Sequence, residues 1–575
     1  MNKIVSLSFL SFSLLGCAVS PKLSEPSETV HSVELAQPPV SAPQEVSAEK
    51  REWTVGQGKP APNPIQSKVK TSSRAKGMQS NPFSNLGGGS AGALVSTEMR
   101  VQQAQNTEKY QTNDVNPVQA VSQAPVSTFS IDVDTGSYSN VRRFLNNEGR
   151  LPPVDAVRAE EMMNYFPYSY PQVVSAHPFT VNIETVDSPW QAKAKLIRIG
   201  IKANDIEYRE LPPANLVFLV DVSGSMDSPD KLGLVKKTLR ILTDQLRPQD
   251  RVMIVTYASG EQVALTATSG KDKDKILNVI NRLTANGSTS GQRAIEMAYA
   301  EAQKSFIQNG INRILIATDG DFNVGITNFE TLKSMISEKR KTGISFTSLG
   351  FGTGNYNEKL MEQLADAGDG HYSYIDNEKE AKKVVQQQLS STLATVAQDV
   401  KIQVEFNPAT VKEYRLIGYE NRRLKQEDFN NDQVDAGDIG AGHTVTAMYE
   451  IIPQGVQGWL NESRYQKIDA QSGNTNEYGF LNLRYKLPGK TKSILINTPI
   501  TAKSKPFNQA SENTRFAVAV ASYAQQLKGG QYNGNIQWDN IIQLAQQSMK
   551  TDDYGLKAEF VDLLKIAKSL SSKKE

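Results

Sequence analysis

The stretch NLVFLVDVSGSMDSPDKLGLVKKTL, residues 215–239, turns from apolar to polar at one position. Its apolar run ends at Asp221, and two serines and a glycine follow within four residues. A short apolar run bounded by turn residues reads as a strand buried on both faces. The residues after it, 231–246, have the spacing of an amphipathic helix. The alternation continues downstream. RVMIVTYAS, RILIATD and GISFTSLGFG are apolar runs, while 274–283, 292–306, 329–339 and 357–364 are amphipathic. Continuous apolar strands separated by helices predict an α/β unit over 211–398, with a doubly wound, mainly parallel sheet covered on both sides. In such sheets ligands sit at the carboxyl ends of strands. Asp221 and Asp319 each occupy one such end.

On either side of this unit the period changes to two. HPFTVNIETVDS and AKLIRIGIKAND precede it; DVKIQVEFNP, HTVTAMYEIIP, GFLNLRYKLP and SILINTPI follow it. Such alternation marks half-buried antiparallel strands. It predicts an N-terminal α+β module over 126–210, with helices near 141–145 and 157–166, and a β-rich module over 399–510. A helical region occupies 511–575. Because period-two strands flank the α/β unit on both sides, the unit is expected to be inserted into one antiparallel β-sandwich. Pairing between 178–203 and 400–500 decides that point.

At 575 residues the chain exceeds what one core fills. Lys plus Arg total 63 and Asp plus Glu 61, a net charge of +2, and this balance argues against nucleic acid as a partner. The single cysteine, Cys17, has no internal disulfide partner. It follows a lone lysine and an apolar, small-residue run that is too short to span a bilayer and reads as a signal-peptide core over 1–17. LLGC, residues 14–17, resembles the bacterial lipobox, although Leu15 is a less usual choice there. The resemblance implies that Cys17 is lipidated and becomes the mature N-terminus. With Ala18 in place of Asp, the Gram-negative sorting pattern implies a lipid-anchored envelope protein on the periplasmic side of the outer membrane. Residues 18–125 are rich in Pro, Ser, Gln and Ala and poor in large apolar residues, the composition of a disordered spacer.

DVSGS places Asp221, Ser223 and Ser225 on one turn; LTANGSTSGQ places Thr289 just before a helix; RILIATDG ends its strand at Asp319. Carboxylates and hydroxyls are hard donors suited to Mg²⁺, Mn²⁺ or Ca²⁺ rather than Zn²⁺. Taken singly, each residue has a plainer reading as a turn or helix cap. Together, within this α/β pattern, they resemble the metal-ion-dependent adhesion site of von Willebrand factor type A domains. That resemblance implies that Ser223, Ser225 and Thr289 touch a metal directly, that Asp221 and Asp319 hold it mostly through water, and that a partner's carboxylate completes it. FSIDVDTGSYSNVRRFL, RAEEMMNYFPY, RFAVAVASYAQQLKG and AEFVDLLKIAKSL further resemble the regions flanking the type A domain in a family of bacterial lipoproteins. The expectation is metal-dependent protein binding, through an unidentified partner presenting an acidic residue, by a membrane-anchored protein that is not an enzyme. An envelope scaffold with an incidental metal is the alternative, and a metal-assisted enzyme a weaker one.

Other motifs carry less. DGDFNVGITNFE, 319–330, resembles an EF-hand loop, but Val324 stands where the sharp turn needs glycine, and a strand precedes it. IDVDTGSYS, 131–139, imitates the metal motif without a buried strand before it, so Asp132 and Asp134 are assigned structural roles. GSTSG, 287–291, has Thr289 where a nucleophile elbow needs its nucleophile and no recognisable histidine partner. His31, His177, His371 and His443 are scattered and form no metal-binding spacing.

Overall fold

The computed structural model describes residues 107–131, 134–171, 175–206, 208–288, 291–320, 329–388, 395–461, 474–552 and 554–572. Cys17, His31, Asp132, Thr289, Asp321, Asn323 and Val324 lie outside them, as do the signal peptide and most of the spacer.

The α/β unit is built on six strands in the order Tyr372–Ile375, Ser345–Phe351, Ile311–Thr318, Ala214–Asp221, Arg251–Tyr257, Glu261–Ser269. Neighbours are parallel except at the last pair, which is antiparallel. The polar edge strand Glu261–Ser269 has no continuous apolar run, and the sequence pattern does not reveal it. The central strand is buried at every residue. Its alternate side chains feed two cores. Leu216, Phe218 and Val220 pack with helices Leu234–Gln245 and Lys273–Arg282, whereas Val217 and Leu219 pack with Gly291–Lys304, Phe329–Arg340 and Glu358–Ala367. Each such apolar side chain contributes roughly 1.5–3 kcal/mol by leaving water. That two-sided burial explains why the run could not alternate and why its first polar side chain falls at the strand end.

The flanking strands form two antiparallel sheets. One has the order Gln119–Ala120, Val411–Ile417, Thr444–Pro453, Lys195–Ala203, Phe179–Asp187; the other runs Ile439–Gly440, Thr395–Phe406, Glu477–Lys486, Ile494–Thr501, with Val126–Ser130 also paired to Thr395–Phe406. Ile199 lies opposite Ala447 and Phe129 opposite Ile402. Strands from before and after the α/β unit therefore share both sheets. Ile197, Ile199 and Ile201 meet Ile402, Val404 and Leu483 in one core between them. The outward positions Leu196 and Met448 lie under a helical layer that also draws from both ends of the chain. Helices Gly136–Asn146 and Ala159–Asn164 pack there with Glu512–Leu527, Trp538–Gln546 and Leu556–Ser571. Phe166 stands edge-on to Phe516 and Phe560, with ring centres 4.9 and 5.5 Å away. Among the described residues, no helix is long and apolar enough to cross a membrane.

Candidate metal centre

The site forms where the central strand stops. Asp221 accepts the Ser223 backbone N–H on Oδ1 at 2.9 Å, an Asx turn that folds the DVSGS loop back over the strand end. The Ser223 and Ser225 hydroxyls are then 3.1 Å apart. Asp221, Ser223 and Asp319 are buried and Ser225 is exposed, so the oxygen set opens toward solvent on one side. Neighbouring loops brace this one. The Gly224 N–H donates to Gly287 O at 2.9 Å, the Asn286 N–H to Val222 O at 2.7 Å, and the Ser288 N–H to Ser259 Oγ at 3.0 Å. Gly287 is required here: its φ is +87°, and a Cβ would lie 2.3 Å from Ser259 Oγ. These contacts bring the segment ending at Ser288 against the DVSGS loop, while Thr289 lies outside the described residues.

Three further residues, absent from the sequence reading, complete the setting. Thr318 donates its hydroxyl to Asp221 Oδ2 at 2.8 Å and accepts the Gly320 N–H at 3.1 Å, so it orients one carboxylate and the turn after the other. Lys231 places its ammonium 3.0 Å from Asp319 Oδ2 and 2.8 Å from Asn355 Oδ1, and the Asn355 amide donates to the same Asp319 oxygen at 3.1 Å. Lys231 belongs by spacing to the helical stretch after the motif, where a lysine is ordinarily a solvated residue. A kink at its backbone, φ −110° and ψ −106°, turns it inward instead. The only cue in the sequence was Thr318's position beside Asp319.

Asn355 is itself held from the far N-terminal side. Thr107 N–H donates to Gly354 O at 2.8 Å, Lys109 N–H to Tyr356 O at 2.9 Å, and Gly354 N–H to Glu108 Oε1 at 2.9 Å. Both Glu108 oxygens also accept from Arg143 at 2.9 Å. A continuous chain of polar contacts thus runs from helix Gly136–Asn146 to the Asp319 carboxylate.

Burial pushes the Asp221 carboxyl up to about 6, the Ser223 and Thr318 hydrogen bonds oppose the rise, and the Asp319 charge adds to it. Two buried carboxylates repelling one another at adjacent strand ends, with two hydroxyls alongside, fit a hard divalent cation. Among the described residues no group of three or more His, Cys, Asp or Glu gathers as a metal cluster, so the hydroxyl donors are essential to this fit. The rejected motifs are placed as well. Asp134 is buried and structural: it accepts the Tyr372 N–H at 2.7 Å and pairs with Arg422 at 2.9 Å. His371 and His443 pack with ring centres 6.3 Å apart, away from this loop cluster, and burial lowers both.

Three family models match the chain. The von Willebrand factor type A domain covers residues 215–387, a model described as von Willebrand factor covers 104–198, and the C-terminal part of the uncharacterized protein YfbK covers 391–570. The uncharacterized protein YfbK of Escherichia coli is 47% identical over 470 residues, which is 80% of this chain and 81% of that protein. The uncharacterized protein sll0103 of Synechocystis is 28% identical over 200 residues, 34% of this chain and 46% of that one. Among solved structures, a von Willebrand factor type A protein from Catenulispora acidiphila aligns over 69% of this chain and 92% of its own, at 17% identity and a TM-score of 0.38.

Proposed function

The chain belongs to the family of the Escherichia coli protein YfbK and carries a von Willebrand factor type A domain, and from that premise we propose that it is a metal-dependent protein-binding module of the bacterial cell envelope. One observation carries the reading: Asp221 and Asp319, both fully buried, lie at neighbouring strand ends, and the turn anchored on Asp221 holds the Ser223 and Ser225 hydroxyls 3.1 Å apart. When bound, the cation supplies a Lewis-acidic position for a partner's acidic side chain. Ser223, Ser225 and Thr289 would hold it directly and Asp221 and Asp319 largely through water. Mg²⁺ is the first choice, with Mn²⁺ or Ca²⁺ also suited to all-oxygen donors. The protein's own part is to fix these oxygens in advance, through the Ser223 turn and the Thr318 hydrogen bond, so that little order is lost when a partner docks.

The site acts by binding, not turnover, in this reading. Lipidation at Cys17 and the spacer over 18–125 would tether the folded region to the periplasmic side of the outer membrane. The test is capture of envelope proteins in Mg²⁺ and in chelator, by the wild type and by Asp221→Ala and Thr289→Ala. Binding lost in chelator and in both folded variants supports the proposal. Capture that ignores chelator and both substitutions removes it and favours a scaffold role for the sandwich and helical layer.

A further inference from the structure

We infer that Lys231 is an internal counter-cation of the metal centre, one that weakens its affinity for the bare cation and strengthens its preference for an anionic partner; the inference rests on the metal-binding reading above. The ammonium lies between Asp319 and Asn355, 3.0 and 2.8 Å from their oxygens, and the residue is 8% exposed. Its place is built from several directions. The backbone kink at residue 231 aims the side chain, and its stem crosses Gly352, where a Cβ would sit 2.3 Å from Lys231 Cγ. Gly352 has φ +79°, a conformation suited to glycine. Asn355 receives the ammonium and donates back to the same Asp319 oxygen.

A cation in this position does two things. Before metal arrives it compensates the buried Asp319 charge, which otherwise repels the Asp221 carboxylate at the neighbouring strand end. After metal arrives it competes for Asp319 and repels the second cation. Two carboxylates, one ammonium and one divalent ion leave a single net positive charge in a largely buried site. One carboxylate from outside neutralises it. Without the lysine the loaded site is already neutral and has less to gain from that carboxylate. Lys231 is therefore a positioning and specificity residue, selecting for metal and acidic partner together over metal alone.

The experiment is calorimetric titration of Mg²⁺ into the full chain, with and without acetate as the carboxylate probe, for the wild type, Lys231→Met and Lys231→Arg. Removing a unit charge this close in a low-dielectric site is worth on the order of tenfold or more in affinity. Lys231→Met is expected to bind Mg²⁺ at least tenfold more tightly than the wild type, and acetate to enhance its binding less. Lys231→Arg, which keeps the charge, is expected to behave as the wild type. A lysine that serves only to hold the loop predicts the opposite sign, weaker Mg²⁺ binding in Lys231→Met, and that result or unchanged affinity overturns the inference. If Lys231→Met fails to fold in chelator, Lys231→Gln, which removes the charge but keeps a polar group beside Asp319 and Asn355, provides the same comparison and must also bind Mg²⁺ more tightly. Wild-type protein that binds no Mg²⁺ sensitive to Asp221→Ala defeats the metal reading itself, a result distinct from wild-type binding that Lys231→Met leaves unchanged.

Discussion

Replacing Arg158 by methionine would strip the cation from a buried cluster that joins the α/β unit to the rest of the fold. Arg158 precedes helix Ala159–Asn164 and reaches Glu161 at 3.4 Å, Glu358 at 3.1 Å and Glu362 at 2.8 Å; the two latter residues sit on helix Glu358–Ala367 of the α/β unit. All four side chains are 4% exposed or less. Glu362 keeps a second partner, Arg422, at 3.1 Å, so the variant abandons chiefly Glu161 and Glu358. Breaking a buried ion pair from one side costs about 3–5 kcal/mol when the remaining charge cannot be neutralised. Here it can be, in part. Burial pushes the Glu161 carboxyl up to about 8 and the Glu358 carboxyl up to about 7, with Arg158 pulling both down and neighbouring glutamates pushing them further up. Groups raised in the folded state favour folding fully below their unfolded value near 4.5 and lose that contribution as pH climbs through the folded value. Without Arg158 both carboxyls move higher still; at pH 8.5, above both folded values, the loss should be about 3 kcal/mol, and at pH 5.5, where both are protonated with or without Arg158, it should fall well below half of that. Urea unfolding of wild type and variant at both pH values measures it. A loss under about 1 kcal/mol at pH 8.5, or the same loss at both, would refute the reasoning.

Two other substitutions test the site's supports. Thr318→Val, nearly isosteric, removes the hydroxyl that orients Asp221 Oδ2; Mg²⁺ affinity should fall about 10–100-fold, as for other residues that orient metal ligands, with cooperative unfolding retained. Gly352→Ala forces a side chain into a left-handed backbone and onto the Lys231 stem, so thermal melting should show a loss of about 1–3 kcal/mol. The same variant, by displacing the lysine, should tighten Mg²⁺ binding in calorimetry, and weaker binding would speak against the role assigned to Lys231.

The α/β sheet was readable because a strand buried on both faces must be apolar throughout, and the place where that rule stops, Asp221, is where the chemistry starts. The sandwich strands Glu477–Lys486 and Ile494–Thr501 were readable for the complementary reason: one face looks to the core and the other is more open to solvent, so their residues alternate. Edge strand Glu261–Ser269 escaped because only part of one face is covered, so its pattern carries no strong period. Helix Gly136–Asn146 begins earlier than its apolar residues indicate. Gly136, which reads as a breaker, is there because a Cβ would lie 2.3 Å from the Tyr372 ring. Arg142, Arg143 and Arg158 carry charges that predict exposure, yet each is buried against carboxylates drawn from distant parts of the chain. At the candidate metal centre, Asp221, Ser223, Ser225 and Asp319 were visible because they interrupt apolar strands or fill a compact motif. Lys231 and Asn355 were not, since only a backbone kink and a three-dimensional loop contact bring them to Asp319.

The most direct test of the central claim is Mg²⁺ titration by calorimetry into the wild type and Asp221→Ala, each with acetate present so that a weakly held cation is still seen. One saturable site is expected in the wild type and none in a variant that still melts cooperatively. A silent wild type, or an Asp221→Ala protein that binds Mg²⁺ as the wild type does, would contradict it.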